Sequence, residues 1–231
     1  MPDAMPPTAC DTMLASYATG FENGLANWTH VILDNAEPQN PSWPWDEWRH
    51  GTASSGPGSC HAGTNCWATR LETNYTACSR AALVSPQFDL SACVGRNVKL
   101  AFWSWYDFWT GTVSGSTWFD GGILEVSTDN STWTQVTPTP AYPGTIRIYP
   151  SGGGGCLLPN SFHVNAKPGW IGASAGWKQV TVPIPASSLT PTFRFRFAYS
   201  TGVSSDCFNA EDCRVTARPG WYVDDVSFAA P

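Results

Sequence analysis

Apolar and polar positions alternate along this chain in short runs. The clearest run is 192–200, where Phe193, Phe195, Phe197 and Tyr199 alternate with Arg194 and Arg196. A period of two over such a length predicts a strand with one face against a core. The stretch 98–108 behaves differently. One face carries Val98, Leu100, Phe102 and Tyr106, and the other carries Lys99, Ala101, Trp103, Trp105 and Asp107. Both faces are bulky, so a second layer or a ligand is expected over the tryptophan side. Further strands are predicted at 28–33, 67–71, 81–84, 178–184 and 220–228. A hairpin is predicted at 122–128 and 132–137, turning through Asp129, Asn130 and Ser131. No segment sustains an apolar period of 3.6. About ten short strands separated by turn residues predict an all-β fold, a two-sheet antiparallel β-sandwich of jelly-roll type. Residues 1–17 read as a Pro-rich leader anchored through Cys10, and 18–231 as a single domain. Within it, 37–66 forms a long irregular excursion of the kind that is usually functional or stapled.

Composition agrees with that pattern. Of the 231 residues only 13% are charged, while 21 are Gly, 19 are Pro and 13 are Trp, which suits many short strands joined by loops. The net charge of −6 and the scattered basic residues argue against a nucleic-acid partner. No stretch reaches membrane-spanning length, and the N-terminus has neither the basic nor the apolar region of a signal peptide. Eight cysteines, with no paired C-x-x-C zinc spacing, point to disulfides and a secreted or cell-surface protein. Either an export signal has been trimmed, or this is one domain of a larger secreted polypeptide. Cys60/Cys66 and Cys207/Cys213 each bracket a short polar loop and Cys78/Cys93 bracket a strand, which leaves Cys10 and Cys156 as a long-range pair. Spacing alone does not determine connectivity.

Two adjacent carboxylates, Asp224 and Asp225, interrupt the last strand, Gly220-Trp221-Tyr222-Val223-Asp224-Asp225-Val226-Ser227-Phe228. Asp is depleted in strands, and alternation would aim one of the two at the core. A buried carboxylate needs a cation or a dense set of donors. A third acid, Glu22, sits in an apolar setting near the other end of the chain. One reading brings Glu22, Asp224 and Asp225 together on a calcium ion that ties the two ends of the sandwich. The other leaves them as surface acids and turn formers.

Several blocks, taken in order, resemble a known family: FENGLANWT at 21–29, HAGTNCWATRLETNY at 61–75, LVSPQFDLS at 83–91, VKLAFWSWYDF at 98–108, DGGILEVSTDNSTW at 120–133, FRFRF at 193–197 and GWYVDDVSF at 220–228. Their succession is similar to that of the MAM-like and cleaved-adhesin-type jelly rolls of bacterial secreted proteases and surface proteins, and to jelly-roll carbohydrate-binding modules. The resemblance spans about residues 20–228. It implies a structural calcium on Glu22 and on Asp224 or Asp225, with loop carbonyls near 61–64 and water completing six to eight oxygens. The cysteines flanking that loop depart from the family's usual pattern. The 127–133 stretch resembles a degenerate Asp-box, a folding element to which no chemistry is assigned.

Chemistry of another kind finds less support. The four histidines (His30, His50, His61, His163) lie in unrelated contexts, and no Gly-x-Ser-x-Gly elbow is present. Asp107 and Asp120 flank the Trp-rich strand and are the acid pair that a secreted glycan-active hydrolase or lyase would need. The aromatic residues are the stronger signal. Trp43, Trp45 and Trp48 stand in a Pro-punctuated loop, and Trp103, Trp105, Trp109 and Trp118 surround the central strand. Flat amphipathic rings offer a sugar apolar contact while leaving its hydroxyls free to hydrogen-bond. Trp43, Trp45, Trp48, Trp105 and Trp109 are therefore the expected ligand-binding set. The resulting expectation is a non-catalytic, calcium-binding adhesion or recognition module with a glycan or cell-surface protein as partner. The alternatives are the hydrolase or lyase on the same fold, and a structural subunit of a surface assembly.

Overall fold

The computed structural model describes residues 8–33, 46–113, 115–149, 163–202 and 218–230. Trp43, Trp45, Cys156, Cys207 and Cys213 lie outside them. In chain order the elements are α1 (Ala9–Ser16), β1 (Thr29–Ile32), β2 (Arg49–Gly51), β3 (Cys66–Ala68), β4 (Arg80–Val84), β5 (Lys99–Asp107), β6 (Thr110–Val113), β7 (Ser116–Phe119), β8 (Gly121–Ser127), β9 (Thr134–Gln135), β10 (Gly144–Thr145), β11 (Pro168–Gly169), β12 (Lys178–Pro183), β13 (Arg194–Ser200) and β14 (Gly220–Ala229). They build an all-β jelly-roll sandwich of two five-stranded antiparallel sheets. One has the order β1-β4-β13-β8-β9 and the other β12-β5-β14-β3-β2, with two small hairpin sheets alongside. From β3 onward the longer strands switch sheets almost one by one, and the last two, β13 and β14, take the central place in their sheets.

The core lies between the sheets. Phe193, Phe195, Phe197 and Tyr199 face Phe102, Trp221, Val223 and Phe228 across it, all of them buried. The rings meet mostly edge to face, as Phe102 does with Phe197 at 4.9 Å and Phe197 with Trp221 at 5.5 Å. Trp221 Nε1 donates to Ser104 Oγ at 2.9 Å, so that polar edge is satisfied inside the core.

The arginine face of β13 meets open water only in part. A second small core covers its Ala198 end, made of Ala82, Ile123, Ile146, Ile148, Val164 and Ala198. Beside it the carboxylate of Glu125, 1% exposed, collects Arg196 Nε at 2.8 Å, Lys167 Nζ at 3.2 Å and His163 Nε2 at 2.8 Å. Alternation identified the strand correctly. The second layer escaped it because the covering residues come from positions 146–171.

Residues 9–16, expected within the leader, form a helix. Thr8 and Asp11 make a reciprocal capping box, and Cys10 is bonded to Cys93. Arg96 adds hydrogen bonds to Asp11 at 3.1 Å and to the Ala230 carbonyl at 2.7 Å. Two turns are too short to display a helical period, and the tie is made in tertiary space. The Cys10–Cys93 bond replaces both the Cys78–Cys93 and the Cys10–Cys156 pairings. Nearness along the chain misleads in an antiparallel sandwich, where the helix packs on β14 and the 91–93 turn. Cys78 is in a disulfide as well, though not with Cys93.

Glu125 makes stability depend on acid. Burial alone would raise its pKa, but the hydrogen bond and charge of His163, with Arg196 and Lys167, outweigh that and hold it at about 2. A folded-state value below the unfolded 4.5 contributes stability above pH 4.5, and that stability is lost as pH falls toward 2. Chemical denaturation across this window should show wild type losing about 3 kcal/mol relative to Glu125→Gln. Parallel pH profiles for the two proteins would remove Glu125 from the account.

Candidate functional site

The site grows from a bulge in β14. Its register against β5 runs evenly from Gly220 to Asp224 and then shifts before Ser227. Asp225 adopts the left-handed backbone, φ 48°. In an even strand Asp225 would enter the core beside Val223. The bulge turns it out on the same side as Asp224 and leaves Val226 to fill the core place. That resolves the oddity of two adjacent acids in a strand.

The N-terminal segment meets this bulge directly. Thr19 and Val226 exchange both backbone hydrogen bonds, each 2.8 Å. Gly20 is needed at the crossing, because a Cβ there would stand 2.9 Å from Asp225 Oδ1. Phe21 then inserts into the core against Trp28 at 5.4 Å, and Glu22 is left outside. The two ends of the chain are thus neighbours, as the clasp reading required.

What the acids hold is the loop 61–65, stapled at its base by the Cys60–Cys66 disulfide. Asp224, 0% exposed, accepts the amides of His61 (3.0 Å) and Ala62 (3.2 Å) on Oδ2, and its Oδ1 accepts the Asp225 amide at 2.8 Å. Asp225 Oδ2 accepts from His61 Nδ1 at 2.5 Å. Glu22 takes the other end of the loop. Its oxygens accept the Thr64 amide (3.0 Å), the Asn65 amide (2.9 Å) and the Thr64 hydroxyl (2.8 Å). Gly63 leaves room for it, since a Cβ there would lie 2.4 Å from the carboxyl carbon. Electrostatics follow from these partners. Burial pushes Asp224 up to about 6, against the pull of the Ala62, Asp225 and His61 amides and with the help of the neighbouring Asp225 charge. Glu22 is held below its ordinary value, first by the Asn65 amide and then by Thr64.

Calcium fits this arrangement only in part. Among the described residues no three His, Cys, Asp or Glu side chains converge on one point. Both Glu22 oxygens accept from donors of residues 64 and 65 in this arrangement. Asp224 keeps a lone pair on Oδ1, and Asp225 Oδ1 faces the Gly20 backbone. The remaining capacity for a cation is on the aspartate side.

A depression of about 350 Å³ opens beside the bulge, lined by Thr19, Gly20, Trp103, Gln179, Asp225 and Ser227 among others. Trp103, on the outer face of β5, is half-buried. The His61 ring lies against it at 3.7 Å between centroids and 13° between planes. Asp225, holding His61, therefore also fixes the stack.

The expected tryptophans divide differently. Trp48 is 0% exposed and packs on Tyr199 and Trp221, at 5.8 and 5.7 Å. Trp109 is 5% exposed and belongs to the main core. Both are corrections: burying these large apolar rings in the main core removes more apolar surface from water than leaving them at a loop surface. Trp105 is half-buried, edge-on to Tyr222 at 5.4 Å, outside the 350 Å³ depression. Trp103 borders the depression with His61 stacked on it, and neither belongs to the expected ligand set. Trp103 stands on the tryptophan side of the 98–108 strand, over which a second layer or a ligand is expected. Asp107 meets Arg218 at 3.3 Å, while Asp120 is 1% exposed between the Tyr75 hydroxyl and the Gly202 amide, both at 2.7 Å. Burial pushes Asp120 up to about 7, but it is sealed beneath those donors and does not face Asp107 across a cleft.

No family model and no curated protein sequence matches this chain. Similar solved structures include the K2 cleaved adhesin domain of Lys-gingipain, at 15% identity and TM-score 0.41, covering 93% of this chain and 98% of that one. Another is the CBM22-2 xylan-binding domain of Xyn10C from Paenibacillus barcinonensis, at 13% identity and TM-score 0.40, covering 93% and 99%. The CBM22-1-CBM22-2 tandem of the same protein is similar at 14% identity and TM-score 0.40, covering 93% and 50%. The sandwich assignment itself stands on this chain's own strand register.

Removing the Asp224 acceptor leaves the loop amides without partners. Asp224→Ala should cost about 2 kcal/mol of unfolding free energy and speed hydrogen exchange at the His61 and Ala62 amides. Asp224→Asn, which keeps an acceptor oxygen, should lose less. Unaltered exchange at those two amides in Asp224→Ala would mean the carboxylate is not what holds the loop.

Proposed function

We propose that this protein is a secreted or cell-surface recognition module, and that it binds a glycan in the depression beside Trp103. The observation that carries the reading is the Trp103–His61 stack next to three polar side chains of different character. The indole supplies apolar contact, while the Asp225 carboxylate, the Gln179 amide and the Ser227 hydroxyl supply acceptors and donors for sugar hydroxyls. The depression is shallow and sits on rigid strands, which suits binding without closure. Disulfides and the stapled loop fit a protein that works in an oxidising medium. Among the described residues no helix is long and apolar enough to cross a membrane.

Calcium belongs to the same proposal. Asp224 and Asp225 would hold it, and when bound it would supply the positive charge that a buried carboxylate beside a second acid otherwise lacks. Among the described residues neither aspartate is paired with a lysine or arginine.

Two measurements test these readings. On a glycan array the intact protein should bind without releasing product. Trp103→Ala should weaken the strongest interaction about tenfold or more, and Gln179→Ala, an exposed change, should weaken it less. Retention of full affinity by Trp103→Ala would sink the assignment of the depression. For the metal, saturating calcium at about 100 times Kd should raise the melting temperature by roughly 5–10 °C over chelated protein. Asp224→Ala combined with Asp225→Ala should abolish that difference. Identical melting with calcium and with chelator would leave the loop amides and the His61 ring as the partners of these carboxylates.

A further inference from the structure

The outer face of the other sheet carries a second depression, about 380 Å³, between edge strand β1 and the β8–β9 hairpin. Its floor is one registered row across three strands, with Thr29 opposite Val84 and Val84 opposite Arg196. Val31, Arg194, Asn130 and Trp133 close it. The apolar part is unusual for an edge strand, since Val31 is 43% exposed.

The polar part is cationic and held in place. The Arg196 guanidinium lies 4.3 Å over the Trp133 ring and donates to Glu125 at 2.8 Å, so its orientation is set before any ligand arrives. Arg194 donates Nη1 to the Ser85 carbonyl at 3.0 Å. Among the described residues its Nε and Nη2 have no acceptor. Lys167 joins the same cluster through Glu125 at 3.2 Å. Arg196 and Lys167 thus share the Glu125 carboxylate while Arg194 stands apart from it on Ser85, on a chain whose net charge is −6. The depression beside Trp103, on the opposite face, has the contrary character, with Asp225 at its rim.

We infer that this second depression binds an anionic sugar residue of the uronic-acid type. Its carboxylate would lie against Arg194 and the accessible edge of Arg196, and its C–H face against Val31, Val84 and the side of Trp133. Guanidinium is the side-chain group best matched to a planar carboxylate. The cavity's size suits one or two sugar rings better than an extended chain. Thr29 and Asn130 stand at its margin as partners for ring hydroxyls. The site shares no residue with the Trp103 depression, and neither reading depends on the other.

The test titrates the full chain with a trigalacturonate, with its methyl ester and with the neutral galactotriose. Binding is followed by calorimetry and by the Trp133 indole N–H signal in NMR, assigned through Trp133→Phe. The free acid alone should bind, should shift the Trp133 signal, and should weaken as salt is raised. Arg194→Gln should reduce its affinity about tenfold or more, as expected for a charge-assisted contact. Should Arg194→Gln lower the melting temperature, Asn130→Ala, an exposed hairpin change, should still weaken the acid by a few fold, about the effect of one neutral hydrogen bond. Equal binding of acid and ester overturns the inference, as does an unmoved Trp133 signal or full affinity in Arg194→Gln. Loss of the acid in Trp103→Ala would assign it to the other face. Tighter competition by an acidic peptide than by the trisaccharide would replace the glycan by a protein.

Discussion

A carboxylate under a stapled loop closes this sandwich. Asp224 is wholly buried, yet it lies outside the hydrophobic core. It is roofed by the loop 61–65 and accepts the His61 and Ala62 amides. The bulge that puts it there also frees Val226 to bond Thr19, and that bond places the start of the domain against its last strand. Glu22 then seizes the far end of the same loop. The acids therefore do not meet one another. They meet on one loop, the aspartates on its residues 61 and 62 and Glu22 on 64 and 65, and the Cys60–Cys66 bond keeps those donors together. Buried carboxylates require compensation, and a loop that presents several amides in a row provides it much as a cation would. An ion on the aspartate side would add to this clasp and would leave the Glu22 end as it is.

The clasp is also what gives the neighbouring surface a defined shape. His61 is fixed at both its backbone and its ring, by Asp224 and Asp225 respectively, and it lies flat on Trp103. A lone tryptophan on an outer sheet face could change rotamer freely, whereas one stacked on an anchored imidazole is held ready for a ligand. The residues that tie the ends of the fold therefore also shape the surface proposed for recognition. The two outer faces are organised by opposite charges. The Asp225 carboxylate borders one depression, and the Arg194 and Arg196 guanidinium groups, the latter held by the buried Glu125, border the other.

Much of this was legible along the chain. The sequence reading places β1, β4, β5, β8, β12, β13 and β14 to within a residue or two, and β5, with alternate residues buried, shows the period most plainly. The Asp129 turn behaves as its residues suggest, with its carboxylate accepting the Ser131 and Thr132 amides at 2.8 and 2.7 Å. The oddity of Asp224 and Asp225 pointed to the right place in the molecule. Burial of the aromatics was read less well. Trp48 in its Pro-punctuated loop and Trp109 beside the central strand read as ligand-facing rings, but both pack into the core.

The sequence by itself determined the all-β class, the strand positions, the disulfide chemistry implied by eight cysteines, and the need of the last strand's acids for partners. Those properties are local, and each is written in a period, a residue type or a charge. Only the tertiary structure decided that Cys93 bonds Cys10, that Trp103 rather than Trp48 borders a depression, and that Glu125 gathers three basic groups. It also decided that the loop 61–65 stands between Glu22 and the aspartates. In an antiparallel sandwich these partners lie tens to more than a hundred residues apart along the chain. Which of them meet depends on strand register and on one bulge, and neither leaves a periodic trace.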